Sequence, residues 1–152
     1  MIVRHMPPSY RAGQQFYDAA VDALDRQGQA GDLTLKLDTY LERWVTGIET
    51  GQIEDLKALA QKAEALAESM GDRARLAQWR VRQAQARWNI WADPEPLERA
   101  VELALEAFGL ADAHDVRTQS YALFLAGASC TDLGRLREAI SHQTQARHTT
   151  RR

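Results

Sequence analysis

The chain has 152 residues, of which 45% are hydrophobic and 26% charged, as in an ordinary globular protein of one domain. Its formal net charge of −2 excludes a global positive field that would attract nucleic acid or an anionic membrane. No apolar run is long enough to span a bilayer, and the single cysteine excludes an intramolecular disulfide. Residues 1–8 lack the apolar core of a signal peptide, so we expect a protein of the reducing cytoplasm.

Seven helices are predicted, and no segment shows the sustained alternation of a strand. In each helix, apolar residues recur at spacings of three and four, which places them on one face. A leader over 1–8 and a tail over 149–152 flank a single predicted domain over 9–148. The predicted helices span about Tyr10–Arg26, Leu33–Glu49, Gln52–Met70, Arg73 to a corner at 91–96, that corner to Ala111, Val116–Asp132, and Leu136 to an end that frays from His148.

Glycine, aspartate and proline mark the predicted helix ends. Gly71 followed by Asp72 has the order of a helix-terminating glycine and an N-cap, and Asp32 is placed to cap the second helix. Asp93 precedes Pro94, and a residue before proline leaves the α region, so the fourth helix should end there. The chain then turns back into the fifth helix.

Each helix has a face that we expect to be buried. The expected faces of the first two helices are Phe16, Ala20, Ala23 and Gln27, and Leu37, Leu41, Trp44 and Ile48. Those of the fourth and fifth are Ala77, Val81, Ala84, Trp88 and Trp91, and Leu97, Ala100, Val101, Ala104, Leu105, Ala107 and Phe108. The tryptophans at 44, 79, 88 and 91 are interpreted as core residues rather than a ligand-stacking box, because they stand at helical spacing.

A weak internal repeat relates these helices. Ile53 and Leu97 lie 44 residues apart, and the same shift places Trp44 on Trp88. A shift of 39 residues places Leu97 on Leu136. Periods of this size are typical of helical-repeat proteins, in which each hairpin buries its apolar face on its neighbours.

The small residues of the last hairpin resemble a tetratricopeptide repeat. Gly127, Gly134, Ala139 and Ala146 stand at that repeat's small-residue positions, and Ala100 and Ala107 match in the preceding hairpin, where Trp88 replaces the crossing glycine. The resemblance implies an all-α solenoid of about seven antiparallel helices in a right-handed superhelix. It is a degenerate match, since the spacings exceed the repeat's usual ~34 residues.

A second resemblance covers roughly residues 30–146. The segments 31–37 and 61–76 are similar to the helical tails of large bacterial signalling proteins, which follow a nucleotide-cyclase domain and a P-loop ATPase domain. This chain has no phosphate-binding Gly-x-x-x-x-Gly-Lys-Ser/Thr loop and no room for a cyclase core. The resemblance therefore implies a fragment or relative of the scaffold part, with no catalytic residue, no cofactor and no enzyme activity of its own.

The residues that could support chemistry are interpreted as structural. Asp112, His114 and Asp115 lie in a loop between helices, where aspartate caps and a metal site is not expected. His142 and His148 are six residues apart, and neither is expected to have a carboxylate at ligand spacing. Cys130 is interpreted as a small core residue rather than a nucleophile. No metal site is predicted.

Two surfaces remain as binding candidates. Arg73, Arg80 and Arg87 form a basic stripe, either solvated or paired with glutamates of a neighbouring helix, or able to contact phosphate or an acidic peptide. The other candidate is a wall on the first helices of successive hairpins, which would line the concave groove of a tetratricopeptide stack. The wall comprises Asp38, Leu41, Val45, Gln78, Arg82, Gln85, Asn89, Tyr121 and Phe124.

The wall is polar in the middle and apolar at both sides, which would suit an extended or helical peptide. Arg82 and Asn89 match positions with which such repeats bind a C-terminal carboxylate, although Gln85 stands where a lysine is expected. The favoured hypothesis is therefore a non-catalytic interaction or regulatory scaffold that binds protein or peptide and no membrane. The alternative is a helical regulator that binds a small ligand or nucleic acid through the basic stripe.

Overall fold

The computed structural model describes the backbone of residues 8–28, 32–50, 57–90 and 94–150. Side chains are described for 12–28, 32–47, 58–88 and 96–150. Within these ranges the chain is helical apart from short turns and contains no strand, so the all-α prediction is confirmed. The helices are α1 (Pro8–Gln27), α2 (Leu33–Thr50), α3 (Lys57–Met70), α4 (Arg73–Ile90), α5 (Pro94–Leu110), α6 (Val116–Asp132) and α7 (Leu136–Thr149). None of these helices is both long and apolar enough to cross a membrane.

Helix boundaries follow the predicted caps closely. Asp32 accepts hydrogen bonds from the amides of Thr34 and Leu35 at 2.9 and 3.1 Å, and α2 begins beside it. The turn between α3 and α4 has Gly71 at φ +61°, a left-handed conformation that favours glycine. Asp72 then accepts from the amide of Arg75 at 3.1 Å, and the amide and guanidinium of Arg75 lower the pKa of its carboxyl. The predicted start of α3 at residue 52 lies outside the described residues.

Backbone contacts group the chain into two compact units. Unit 1 is Met1–Met70 and contains α1 to α3; unit 2 is Gly71–Arg152 and contains α4 to α7. The single domain over 9–148 stays a prediction. In unit 1, α2 packs against both α1 and α3. In unit 2, consecutive helices pack on one another, and α4 also contacts α6.

A single carboxylate joins the three helices of unit 1. Asp25 of α1 pairs with Lys36 of α2 at 3.1 Å and with Lys62 of α3 at 2.7 Å, and the hydroxyl of Tyr40 donates to it. Burial raises the pKa of Asp25, but hydrogen bonds from Lys62, Tyr40 and Lys36 outweigh that effect and bring the pKa to about 2. Burial and the hydrogen bond to Asp25 raise the pKa of Tyr40.

The depressed pKa of Asp25 predicts a specific acid sensitivity. Its charged form contributes stability above the unfolded pKa of 3.8, and that contribution is lost as the pH falls through about 2. The contribution at neutral pH is on the order of 2 kcal/mol. In acid titrations followed by circular dichroism, Asp25→Asn should lack this loss, because it has no charge to neutralise. The exposed Asp22→Asn on the same helix should titrate like the parent, and equal behaviour of the two variants would contradict the assignment.

The predicted buried face of α1 is wrong. Phe16 is 71% exposed, Ala23 and Gln27 are exposed, and Ala20 is half-buried; among the described side chains of this helix, residues 12–27, only Gln14 is buried. The reason is that α1 meets α2 through polar groups, including an ion pair of 2.6 Å between Asp18 and the buried Arg43. The apolar spacing of Phe16, Ala20 and Ala23 therefore does not mark the face of α1 that packs on α2.

The core of unit 2 is formed mainly by small and aliphatic residues of α4, α5 and α6. It comprises Val81, Ala84, Leu103, Ala104, Ala107, Ala122, Leu125 and Ala126, with Trp88, Phe108 and Tyr121 packed against it. The predicted face of α5 is confirmed except at Leu105, which is 39% exposed, and at Phe108, which is half-buried. Helix α4 has a second buried stripe, formed by Trp79, which is interpreted as a core residue from the sequence, and by Ala86, which lies outside the predicted face.

The last two helices cross at Gly127. A β-carbon placed there would lie 2.8 Å from Cγ of Gln143 and 3.3 Å from the carbonyl oxygen of Ala139. The close approach predicted at this position is therefore present. Ala139 and Ala100 are buried as expected, and Gly134 has φ +74° in the turn before α7.

Candidate functional site

Three aromatic rings form a cluster on the α4 and α6 surface of unit 2. Tyr121 and Phe124 are stacked, with ring centroids 6.0 Å apart and an angle of 9° between their planes. Trp88 meets Phe124 edge-on at 5.9 Å, and its indole nitrogen donates to Asp132 at 2.9 Å. Phe124 is 44% exposed, so the cluster presents an apolar ring to solvent. Exposed rings fixed by neighbours are suited to binding, since little side-chain entropy remains to be lost.

Helix α4, which supplies Trp88 to this cluster, also has polar side chains earlier along its length. Arg82 donates to Gln85 at 3.2 Å, and both side chains are half-buried, whereas Gln78 is exposed. Burial raises the pKa of the Tyr121 hydroxyl, and the charge of Arg82 acts in the opposite direction. The surface thus combines a cation, an amide and stacked rings.

On part of α4, the predicted wall residues are more accessible to solvent than the predicted core residues next to them. Val81 and Ala84 are buried, and the wall residues one position later, Arg82 and Gln85, are more accessible. The prediction that Trp88 is buried is wrong, because its ring is half-buried and belongs to the aromatic cluster. The side chain of Asn89 lies outside the described part of the chain.

The wall residues predicted on α2 belong to unit 1. Asp38 and Val45 are half-buried there, and whether they share a surface with α4 and α6 stays a prediction. Leu41 is only 7% exposed, so its assignment to an accessible wall is wrong. It lies on the same face as the buried Leu37 and Trp44, at spacings of four and three.

The basic stripe is largely engaged within unit 2. The Nε atom of Arg80 lies 3.1 Å from a carboxylate oxygen of Glu106 on α5, and the Arg80 side chain is mostly buried. Arg73 donates to the carbonyl oxygen of Gly109 at 3.4 Å, and Arg87 is exposed. The sequence predicts that the stripe is either solvated or paired with glutamates of a neighbouring helix, or else contacts phosphate or an acidic peptide. For Arg80, pairing with a glutamate of a neighbouring helix is confirmed.

Comparisons with known proteins identify no relative. Neither a scan against protein-family models nor searches of curated proteins and of solved structures found a match to this chain. The tetratricopeptide and signalling-protein resemblances therefore stay predictions, and the surfaces themselves are the evidence for function.

The loop between α5 and α6 behaves as predicted. Asp112 accepts from the amide of His114 at 2.8 Å, and Asp115 accepts from the amide of Thr118 at 3.0 Å as the N-cap of α6. These carboxylates satisfy backbone amides at a helix start.

The tryptophans also follow the core interpretation in part, since Trp44 and Trp79 are buried, whereas Trp91 lies outside the described residues.

A second cluster lies where α6 packs on α7. The sulfur of Cys130, a carboxylate oxygen of Glu138 and an imidazole nitrogen of His142 all lie within 4.8 Å of one another. Among the described residues this is the one group of three or more potential metal ligands at such distances. The expectation that His142 has no carboxylate at ligand spacing is wrong, because Glu138 stands four residues before it on one face of α7.

The potential ligands of this cluster differ in burial. Cys130 is 0% exposed beside Val101 and Ala139, so its interpretation as a core residue is confirmed, and burial raises the pKa of its thiol. Glu138 is exposed and accepts hydrogen bonds from Arg135, which lower the pKa of its carboxyl. A buried, protonated thiol is a poor nucleophile, so nucleophilic catalysis is not the chemistry that this arrangement favours.

Proposed function

We propose that this chain is a non-catalytic protein-interaction module that binds a peptide segment on the α4 and α6 surface of unit 2. The observation that carries the proposal is the stacked Tyr121–Phe124 pair, with Phe124 open to solvent, in a unit where Arg82 supplies a positive charge on α4. A ring of this kind takes an apolar anchor of the partner, and the guanidinium takes a carboxylate next to that anchor.

The finer parts of the proposal rest on the sequence. The resemblances favour a tetratricopeptide-like, right-handed solenoid that forms the helical part of a larger bacterial cyclase/ATPase-type signalling protein, located in the cytoplasm. The spacing of polar residues on α4 supports this proposal. Gln78, Arg82 and Gln85 stand four and three residues apart, which places them on one face of the helix.

The alternative of a regulator that binds a small ligand or nucleic acid has less support. This alternative needs the guanidinium groups of Arg73, Arg80 and Arg87 to be available to a ligand. That of Arg80 is instead paired with the carboxylate of Glu106. Salt dependence separates the two hypotheses. Arginine contacts to phosphate groups release counterions, so the affinity for nucleic acid falls steeply with added salt. Binding centred on the aromatic cluster should lose little affinity in the same titration.

A peptide-display selection tests the proposal and requires no named partner. Random peptides are selected on the parent protein, and the affinity of recovered peptides is measured by fluorescence anisotropy against variants. We expect enrichment of an apolar residue near an acidic residue or a C-terminal carboxylate. Phe124→Ala and Arg82→Glu should each weaken binding at least about tenfold, as truncation of a central anchor does. Thermal melts of both variants should stay close to that of the parent, since these side chains are not fully buried.

Leu136→Ala is the matched control, because Leu136 is an exposed apolar residue of the same unit on α7. It should leave peptide affinity unchanged. If the selection recovers no peptides, or if the recovered peptides bind Phe124→Ala and Arg82→Glu as tightly as the parent, this surface is not the binding site.

A further inference from the structure

We propose that Cys130, Glu138 and His142 bind one zinc ion, which clamps α7 to the end of α6. The three donor atoms already lie within 4.8 Å of one another. Two of them come from one helix turn of α7 and the third from the neighbouring helix, so the site would form only when the two helices are packed. This inference is independent of the peptide-binding surface on α4 and α6.

The donor set selects the kind of metal. A thiolate and an imidazole are poor ligands for calcium and magnesium, which take oxygen donors. Zinc accepts sulfur, imidazole nitrogen and carboxylate oxygen together, and sites with three protein ligands keep the fourth position for water or another ligand. A zinc ion also deprotonates a coordinating thiol, so a protonated cysteine in the metal-free protein does not prevent coordination.

Only small side-chain movements separate the present geometry from a tetrahedral site. With Zn–S near 2.3 Å and Zn–N or Zn–O near 2.0–2.1 Å, ligand atoms of one tetrahedron lie about 3.5 Å apart. Rotations of the Glu138 and His142 side chains, which are exposed and half-buried, can close the remaining distance.

Arg135 has a supporting role in this site. Its guanidinium donates a hydrogen bond to the carboxylate of Glu138, with an Nε to Oε1 distance of 2.8 Å. A carboxylate has about four lone-pair positions, so it can accept from Arg135 and bind a cation at the same time. Partners of this kind orient metal ligands in known sites.

The test is a zinc titration of the full chain, reduced with a phosphine and freed of metal, by isothermal calorimetry. The parent should bind one zinc ion with a micromolar or lower dissociation constant, and zinc should raise its melting temperature. His142→Ala and Glu138→Gln change accessible side chains, so both should fold, and each should weaken zinc binding by at least about 100-fold. His148→Ala is the matched control on the same helix and should bind like the parent.

Cobalt, used as a spectroscopic substitute, tests the sulfur ligand directly. The parent with cobalt should show a thiolate-to-metal charge-transfer band, and Cys130→Ser should lack it. The proposal is overturned if the parent binds no zinc at micromolar concentration, if His142→Ala and His148→Ala bind zinc equally, or if the cobalt complex has no thiolate band.

Discussion

Replacing Trp79 with alanine is expected to lower the free energy of unfolding by about 3–5 kcal/mol. Trp79 is 0% exposed and is the largest of the fully buried side chains in the described part of the chain. Its removal would leave a cavity beside α4. Because α4 is buried along two stripes, the surrounding side chains have little freedom to move into the space. Denaturant unfolding followed by helical circular dichroism measures the loss.

Ile140→Ala provides the comparison for Trp79→Ala. Ile140 is 66% exposed on α7, and its truncation should change stability by less than about 0.5 kcal/mol. If both variants unfold at the same denaturant concentration, Trp79 does not occupy the buried position described above.

Gly127→Leu should destabilise unit 2 by about 3 kcal/mol, the upper part of the range for overpacking. The side chain of Gln143 could move aside, but the carbonyl of Ala139 belongs to the backbone of α7 and lies only 3.3 Å from the new β-carbon. The two helices would therefore have to separate. Gly127→Ala should have a smaller effect, because its gain in helix propensity of about 1 kcal/mol partly offsets the contact.

The matched control is Gly109→Leu on α5, where a β-carbon meets no atom within 4 Å. Its higher helix propensity should stabilise the protein by up to about 1 kcal/mol. Thermal and denaturant unfolding of the two leucine variants should shift in opposite directions. Equal shifts would mean that α6 and α7 do not cross closely at Gly127.

The helices could be predicted well because their signals are local. Apolar spacing, together with capping residues such as Asp32 and Asp115, places α2 and α6 to within a residue of their observed bounds. The buried face of α1 could not be predicted in this way. Its contact with α2 uses the Asp18–Arg43 pair, and charged residues are expected on solvent-facing positions until a partner is known.

The candidate sites were predictable to different extents. The repeat shift assigns Tyr121 and Phe124 to one surface, and their stacking is consistent with that assignment. The Cys130 cluster could be predicted only in part. The i, i+4 relation of Glu138 and His142 is visible in the sequence, whereas the approach of the cysteine depends on which side of α6 faces α7. That information is carried by tertiary packing and by no local pattern.

The two buried stripes of α4 also bear on how this protein can change over evolutionary time. Ala77, Val81 and Ala84 occupy one stripe and Trp79 and Ala86 the other, so nearly every turn of α4 has residues that cannot be enlarged or made polar without loss of stability. On α7, by contrast, most side chains are exposed. Drift should therefore accumulate at the exposed positions of α7 outside Glu138, Ala139 and His142 while the buried positions of α4 stay nearly constant, and distant homologues should be recognised first by the pattern of α4.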